Sequence, residues 1–312
     1  MVCGARSAGS GSDSADSSVR KCVGTDMKIY DRAAKTYREE KQYGGKSLEF
    51  LYHTVVGRIL LKVFFCRRVY SKLNGIWMRS SFSARRIEPF VREYGVDLSA
   101  CGGTNFKSFD DFFTRKCHLS CNAGVEELIA PCCGRLAAYR IDKGLVLRIK
   151  GSIYTLPELV DNRLELSQYE GGVCLVYRLA LEDCHRYYFC DDGRVLRTGE
   201  IAGVLHTVRP ISEKYRVFSR NHRVYTLMRT VHFGDMVQIE VGALQIGKIN
   251  NHALTAFSRM DEKGYFSYGG STIIQLFLPG MISMDEDIRV HSDRGVEVLV
   301  SAGEKIAKRQ ER

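Results

Sequence analysis

Four short stretches of the sequence bring together residue types that could do chemistry. The first is Tyr268-Gly269-Gly270-Ser271-Thr272, which runs into an apolar segment. Two glycines before a serine permit backbone geometry that a Cβ would forbid, leaving the Gly270–Ser271 peptide open to the Ser271 hydroxyl. The same letters also spell an ordinary tight turn. The second is RLALEDCHR at 178–186, followed by Asp191-Asp192-Gly193. His185 could move a proton near neutral pH, with Asp183 or Arg186 orienting it or holding an anion. Alone, such a histidine in a charged loop is usually just a solvated or hydrogen-bonded one. The third is FDDFFTRK at 109–116, where aromatic residues stand beside Arg115 and Lys116. It is either the end of an amphipathic helix or a phosphate contact. The fourth, Ala130-Pro131-Cys132-Cys133-Gly134, is a turn with a vicinal thiol pair.

The elements that must position these residues fall into two textures. In 47–66, Leu48, Leu51, Tyr52, Val55, Val56, Ile59, Leu60 and Val63 recur at three- and four-residue spacing, which predicts an amphipathic helix. Between Glu49 and Glu88 there is no acidic residue, while Arg58, Lys62, Arg67, Arg68, Lys72, Arg79, Arg85 and Arg86 are all basic. Such a segment suits an anionic bilayer surface; a core helix with a solvated basic face is the plainer alternative. From about residue 122, short apolar runs at 173–177, 195–196, 224–227, 236–241 and 272–277 alternate with Gly, Asp and Asn turn signals. MVQIEV at 236–241 alternates, so one buried face is expected. The fold class is α+β: N-terminal amphipathic helices, then a mainly antiparallel, β-rich body of sandwich or barrel-like form. The expected division is a disordered tail over 1–26, a helical, basic, membrane-associating region over 27–121 and a β-rich catalytic domain over 122–312. The tail is Ser-, Gly- and Asp-rich, and Met27 is an alternative start.

Composition narrows the classes. The chain has 312 residues, and 46 Lys and Arg against 36 Asp and Glu give a net charge of +10. Ordinary apolar content excludes wholesale disorder, and 5 prolines exclude proline-rich architecture. No run of 18 uncharged apolar residues predicts a conventional membrane span. Eleven cysteines without paired CxxC sets give no support for a metal site. The start lacks the apolar core of a secretory signal, so an intracellular setting is expected. Nucleic acid is not expected as a partner, because the basic residues accompany no binding motif.

Taken in order, these pieces resemble the phosphatidylserine decarboxylase family. The likeness is carried by FLYHTVVGRILL, SFDDFFTRK, LIAPCCGRL, IKGSIYTLPEL, RLALEDCHRYYFCDDG, GEIAGVLHTVRPI, IEVGALQIGKI and KGYFSYGGSTIIQLF. The resemblance implies a proenzyme that cuts itself between Gly270 and Ser271, giving a long chain 1–270 and a short chain 271–312. Ser271 would attack the Gly270 carbonyl, and elimination across Ser271 would leave dehydroalanine, which hydrolyses to a covalent pyruvoyl cofactor. Phosphatidylserine would join that group as a Schiff base and lose CO2, and His185 would deliver the proton that gives phosphatidylethanolamine. Arg115, Lys116, Asp183 and Arg186 are the candidate substrate-binding residues. The implied partners are the phospholipid and an anionic membrane surface, with the protein peripheral on the cytoplasmic face. The oligomeric state is open, a homodimer of processed protomers included.

The sequence departs from the family at two places. Cys133 stands where the family has an Asp, and Tyr188 where it has a second His; in the family those two act with the serine as a relay. Tyr titrates near 10 and Cys near 8.5, so neither replaces an imidazole–carboxylate pair at pH 7. Loss of general-base catalysis slows such a step by roughly 10²–10⁴-fold. Cys133 could act as a thiolate if cations lowered its pKa, and His206 or His222 could also serve. The alternative is an unprocessed pseudoenzyme that binds anionic phospholipid.

Overall fold

The computed structural model describes residues 27–40, 45–66, 68–99, 101–149, 152–207, 216–244, 248–267 and 271–310. The expected tail, 1–26, and Gly270 lie outside the described residues.

The body is built on a ten-stranded sheet. Its order is Ala256–Phe257, Gly193–Ile201, Arg223–Thr230, Asp235–Val241, Ser271–Phe277, Val173–Leu179, Gly134–Arg140, Glu297–Val300, Met27–Asp31 and Thr36–Glu40. Neighbours are antiparallel except Met27–Asp31, which runs parallel to Glu297–Val300. The sheet stays open, with different strands at its two edges, so it is not a closed barrel. The runs expected at 173–177, 195–196, 224–227, 236–241 and 272–277 are all strands.

Core packs on both faces of the sheet. Leu175, Tyr177, Ile273 and Phe277 belong to one cluster, and Cys174, Val176, Ile274 and Leu276 to the other. Strands covered on both sides need no solvent face, which is why Ser271–Phe277 is buried throughout. The alternation in 236–241 therefore does not separate core from solvent. Its polar residues Gln238 and Glu240 are 1% and 0% exposed. They are satisfied internally: Lys263 Nζ lies 2.8 Å from Glu240 Oε1, and Asn251 Nδ2 donates to Glu240 Oε2 at 3.1 Å. Gln238 and Gln275 extend the chain of bonds to Tyr177.

The segment from residue 27 begins with the Met27–Asp31 and Thr36–Glu40 hairpin, which joins the large sheet, so helix starts only at Gly45–His53. Thr54 breaks the predicted helix and caps the next, accepting from the Gly57 N–H at 2.9 Å. Val55–Leu60, a wider π-type turn over Leu61–Phe65, Arg68–Arg79 and Ile87–Tyr94 follow. Tyr52 and Leu61 are buried, but Val55, Val56, Ile59 and Val63 are each at least 58% exposed. Most of the apolar stripe thus faces outward rather than into a core. Further on, Phe109–Phe113 packs its aromatic residues against Phe90 and Met78.

Candidate active site

Ser271 opens the Ser271–Phe277 strand, directly opposite Leu179 on one neighbour, while Thr272 faces Val241 on the other. Central-strand pairing on both sides holds the residue after the expected cut, and Ser271 is 0% exposed. Its Oγ is buried without a hydrogen-bond partner. An unpaired buried hydroxyl costs on the order of 1–3 kcal/mol, so it marks a place where stability yields to another requirement.

His185 lies six residues beyond Leu179, in the turn between Val173–Leu179 and Arg186–Tyr188. A second link returns it to the segment leading to Ser271: the Phe266 N–H donates to the His185 carbonyl at 3.0 Å. The imidazole is 0% exposed and lies against the Phe113 ring at 3.8 Å between centroids. Nδ1 is 3.0 Å from the Asp183 carbonyl. A carbonyl only accepts, so Nδ1 carries the hydrogen and Nε2 the lone pair. That Nε2 is buried and unpartnered, like Ser271 Oγ. Burial, reinforced by the positive Arg115 and Arg135, drives the ring pKa down to about 3 against the Asp183 bond. In the uncut chain His185 is therefore a neutral ring with a free lone pair.

The Pro131–Gly134 turn reaches the same corner. The Tyr188 N–H donates to the Pro131 carbonyl at 2.8 Å. Gly134 lies so close to the end of Val173–Leu179 that a Cβ there would meet the Arg178 carbonyl at 2.9 Å. The fold thus brings the turn carrying Cys133 to the strand carrying Tyr188. Both groups keep their protons. Burial pushes the Cys133 thiol up to about 12, although its sulfur accepts the Ala302 N–H at 3.4 Å. Burial also raises the Tyr188 phenol, helped by Cys184. The lowered Cys133 pKa entertained from the sequence is thereby reversed, because desolvation outweighs the nearby Arg115. His206 and His222 are engaged elsewhere: His206 Nδ1 faces Tyr52 Oη at 3.3 Å, and His222 Nδ1 faces the Ile201 carbonyl at 3.2 Å.

The candidate substrate residues separate. Arg115 is 5% exposed, with its guanidinium donating to the Glu182 carbonyl at 2.6 Å and the Phe112 carbonyl at 3.2 Å. Its Nε lacks a partner. Lys116 is exposed. Asp183 accepts from Ala180 N at 2.7 Å and pairs with Arg135. Arg186 pairs with Glu262 at 2.6 Å and donates to the Thr114 carbonyl at 2.9 Å. Asp183 and Arg186 therefore brace the loop on either side of His185.

Three important groups escaped the sequence reading. Phe113 forms one wall for His185. Arg135 joins Glu40 at 2.6 Å and Glu182 at 2.5 Å, and Arg178 joins Glu40 at 2.7 Å and Glu297 at 2.5 Å. Lys263 neutralises Glu240 within the core. The available signal was charge inside otherwise apolar strands, as in Arg178 of VCLVYRL and Glu240 of DMVQIEV. Among the described residues, no three His, Cys, Asp or Glu side chains converge as a metal site.

Comparison with known proteins places this chain in a family. The profile of the phosphatidylserine decarboxylase family matches residues 109–308. The phosphatidylserine decarboxylase proenzyme 2 of Clostridium acetobutylicum is 46% identical over 282 residues, covering 89% of this chain and 97% of the relative. The proenzyme of Ruminiclostridium cellulolyticum is 38% identical over 90% of this chain and 97% of its own length. That of Clostridium botulinum strain 657 is 36% identical over 91% of this chain and all of the relative. The chain belongs to the phosphatidylserine decarboxylase family of carboxy-lyases.

Proposed function

We propose that this chain matures by cutting itself between Gly270 and Ser271 and then decarboxylates phosphatidylserine to phosphatidylethanolamine at an anionic membrane surface. The observation that carries the reading is the pair of buried, unpartnered atoms, Ser271 Oγ and His185 Nε2, on segments linked through Leu179 and Phe266. With Cys133 and Tyr188 holding their protons, the His185 lone pair is the acceptor this corner offers for the Ser271 proton, a weak one because burial disfavours its charged form, so the cut is slow. The Ser271 oxygen then bonds to the Gly270 carbonyl carbon, and the C–N bond breaks to leave an ester and a free amine. Loss of the Ser271 Cα proton and departure of the Gly270 carboxylate give dehydroalanine. Water releases its nitrogen as ammonia and leaves a pyruvoyl end on residue 271.

Strand pairing of residue 271 to Leu179 and of Thr272 to Val241 would hold that end in a dry core, where the Ser271 Oγ is already buried without a partner. The pyruvoyl group supplies an electron sink for departure of CO2. His185 holds the proton returned to the substrate carbon. An anionic headgroup beside the ring raises the imidazole pKa from its depressed value, which favours the protonated form that step needs. The exposed Val55, Val56, Ile59 and Val63, together with exposed Arg58 and Lys62, would enter the headgroup layer.

Denaturing intact-mass measurement tests the maturation. The expected result is two chains, 1–270 and 271–312, the second carrying a pyruvoyl end. Ser271→Ala should give one chain and no CO2 release. A single uncut wild-type chain would overturn the proposal and leave a lipid-binding protein without the reaction.

A further inference from the structure

We propose that Cys101 and Cys117 form an oxidant-sensitive thiol pair, which hydrogen peroxide converts to a disulfide. The inference does not depend on maturation, since its chemistry is confined to sulfur.

Cys101 and Cys117 face one another in an isolated antiparallel bridge, with their sulfurs 3.6 Å apart. Opposed antiparallel residues have Cα atoms about 4.5–5.5 Å apart. That lies within the ~4.4–6.8 Å range a disulfide requires. Closing the bond therefore needs a small side-chain movement and no change of backbone register. Both residues are half-buried, so a small oxidant has access.

The neighbouring sulfurs are less available. Cys184, which immediately precedes His185, is buried and its thiol donates to the Arg115 carbonyl at 3.5 Å. Cys132 and Cys190 are buried as well. Cys101 and Cys117 are thus the opposed pair that a small oxidant can reach.

The chemistry balances in two steps. One sulfur of the pair, as its thiolate, attacks a peroxide oxygen, the O–O bond breaks, and the departing hydroxide takes a proton to become water. The facing sulfur attacks the resulting sulfenic acid; the S–O bond breaks, and the hydroxyl leaves with the second thiol's proton as a second water. Two thiols are oxidised and one peroxide is reduced. The new bond closes the chain around Phe109–Phe113, whose Phe113 ring supports His185.

The test treats the full-length native protein with hydrogen peroxide at pH 7, blocks free thiols and maps linked peptides by mass spectrometry. Cys101–Cys117 should be the principal linkage and should be lost on adding dithiothreitol. Cys101→Ser should abolish it. Differential alkylation of the unmutated protein is the check that does not rely on a variant folding: Cys101 and Cys117 should lose labelling together on peroxide treatment and regain it with dithiothreitol. Linkage mainly through Cys132, Cys133 or Cys184, or irreversible oxidation of Cys101 or Cys117 without a disulfide, would each overturn the proposal.

Discussion

At the scale of single residues, the site is defined by which groups keep their protons. His185 is neutral because burial outweighs its bond to the Asp183 carbonyl, while Cys133 and Tyr188 are protonated for the same desolvation reason. The folded ring gains its proton near pH 3, whereas an unfolded histidine does so near 6.5. Between those values the unfolded chain binds more protons, so stability is full above about pH 6.5 and falls as the pH drops toward 3. Urea midpoints from pH 7 to 4 should fall less steeply in His185→Gln than in the unmutated chain. The Cys133 position gives a second prediction. An Asp there could accept the Ala302 N–H that Cys133 now receives, and Tyr188→His would add an imidazole beside the same turn. Cys133→Asp with Tyr188→His should speed self-cleavage by up to about 10²-fold, read from chain ratios on a timed gel. An unchanged rate would show that relay loss does not limit the step.

At the scale of elements, two buried ionic clusters fix the strands around the candidate site. One joins the N-terminal hairpin, through Glu40, to Arg135 and Arg178 of neighbouring strands. The other joins Glu262–Phe266, which pairs with the strand after His185, to Glu240 beside the Ser271 strand. Lys263 is therefore a brace between the sheet that begins just after His185 and the sheet that carries Ser271. Removing one member of a buried pair strands the other charge and typically costs about 3–5 kcal/mol. Lys263→Met should be destabilised by that order in urea, and adding Glu240→Gln should recover much of the loss. Equal stability of Lys263→Met and the unmutated chain would refute the brace.

At the scale of the molecule, apolar and basic surface are concentrated in the same helices. Val56 and Ile59 are 60% and 58% exposed, and Arg86 lies over the half-exposed Trp77 ring at 5.2 Å. Among the described residues, no helix is long and apolar enough to cross a membrane. Insertion of side chains combined with charge attraction predicts binding that depends on both lipid charge and salt. In sedimentation with vesicles, binding should be stronger to phosphatidylserine–phosphatidylcholine mixtures than to phosphatidylcholine alone, and should weaken in high salt. Val56→Asp with Ile59→Asp should reduce binding by about 10-fold or more. Salt-independent binding to neutral vesicles would refute the electrostatic part.

Much of this protein was legible from local sequence because local periodicity and ordered motifs report local constraints. The apolar runs at 173–177 and 272–277 specified strands, and the Gly-Gly-Ser motif with the family resemblance singled out Ser271 and His185 as candidates. What only tertiary structure decided was burial and company. The 236–241 alternation could not reveal that its polar face would meet Lys263 and Asn251 inside the core. Nor could the helical stripe of 47–66 reveal that Tyr52 would be buried while Val55 and Val56 remained exposed. Those outcomes depend on segments far apart in the chain. A residue's type fixes its capacity to donate, accept or exclude water, but its surroundings decide which proton it keeps and which surface it presents.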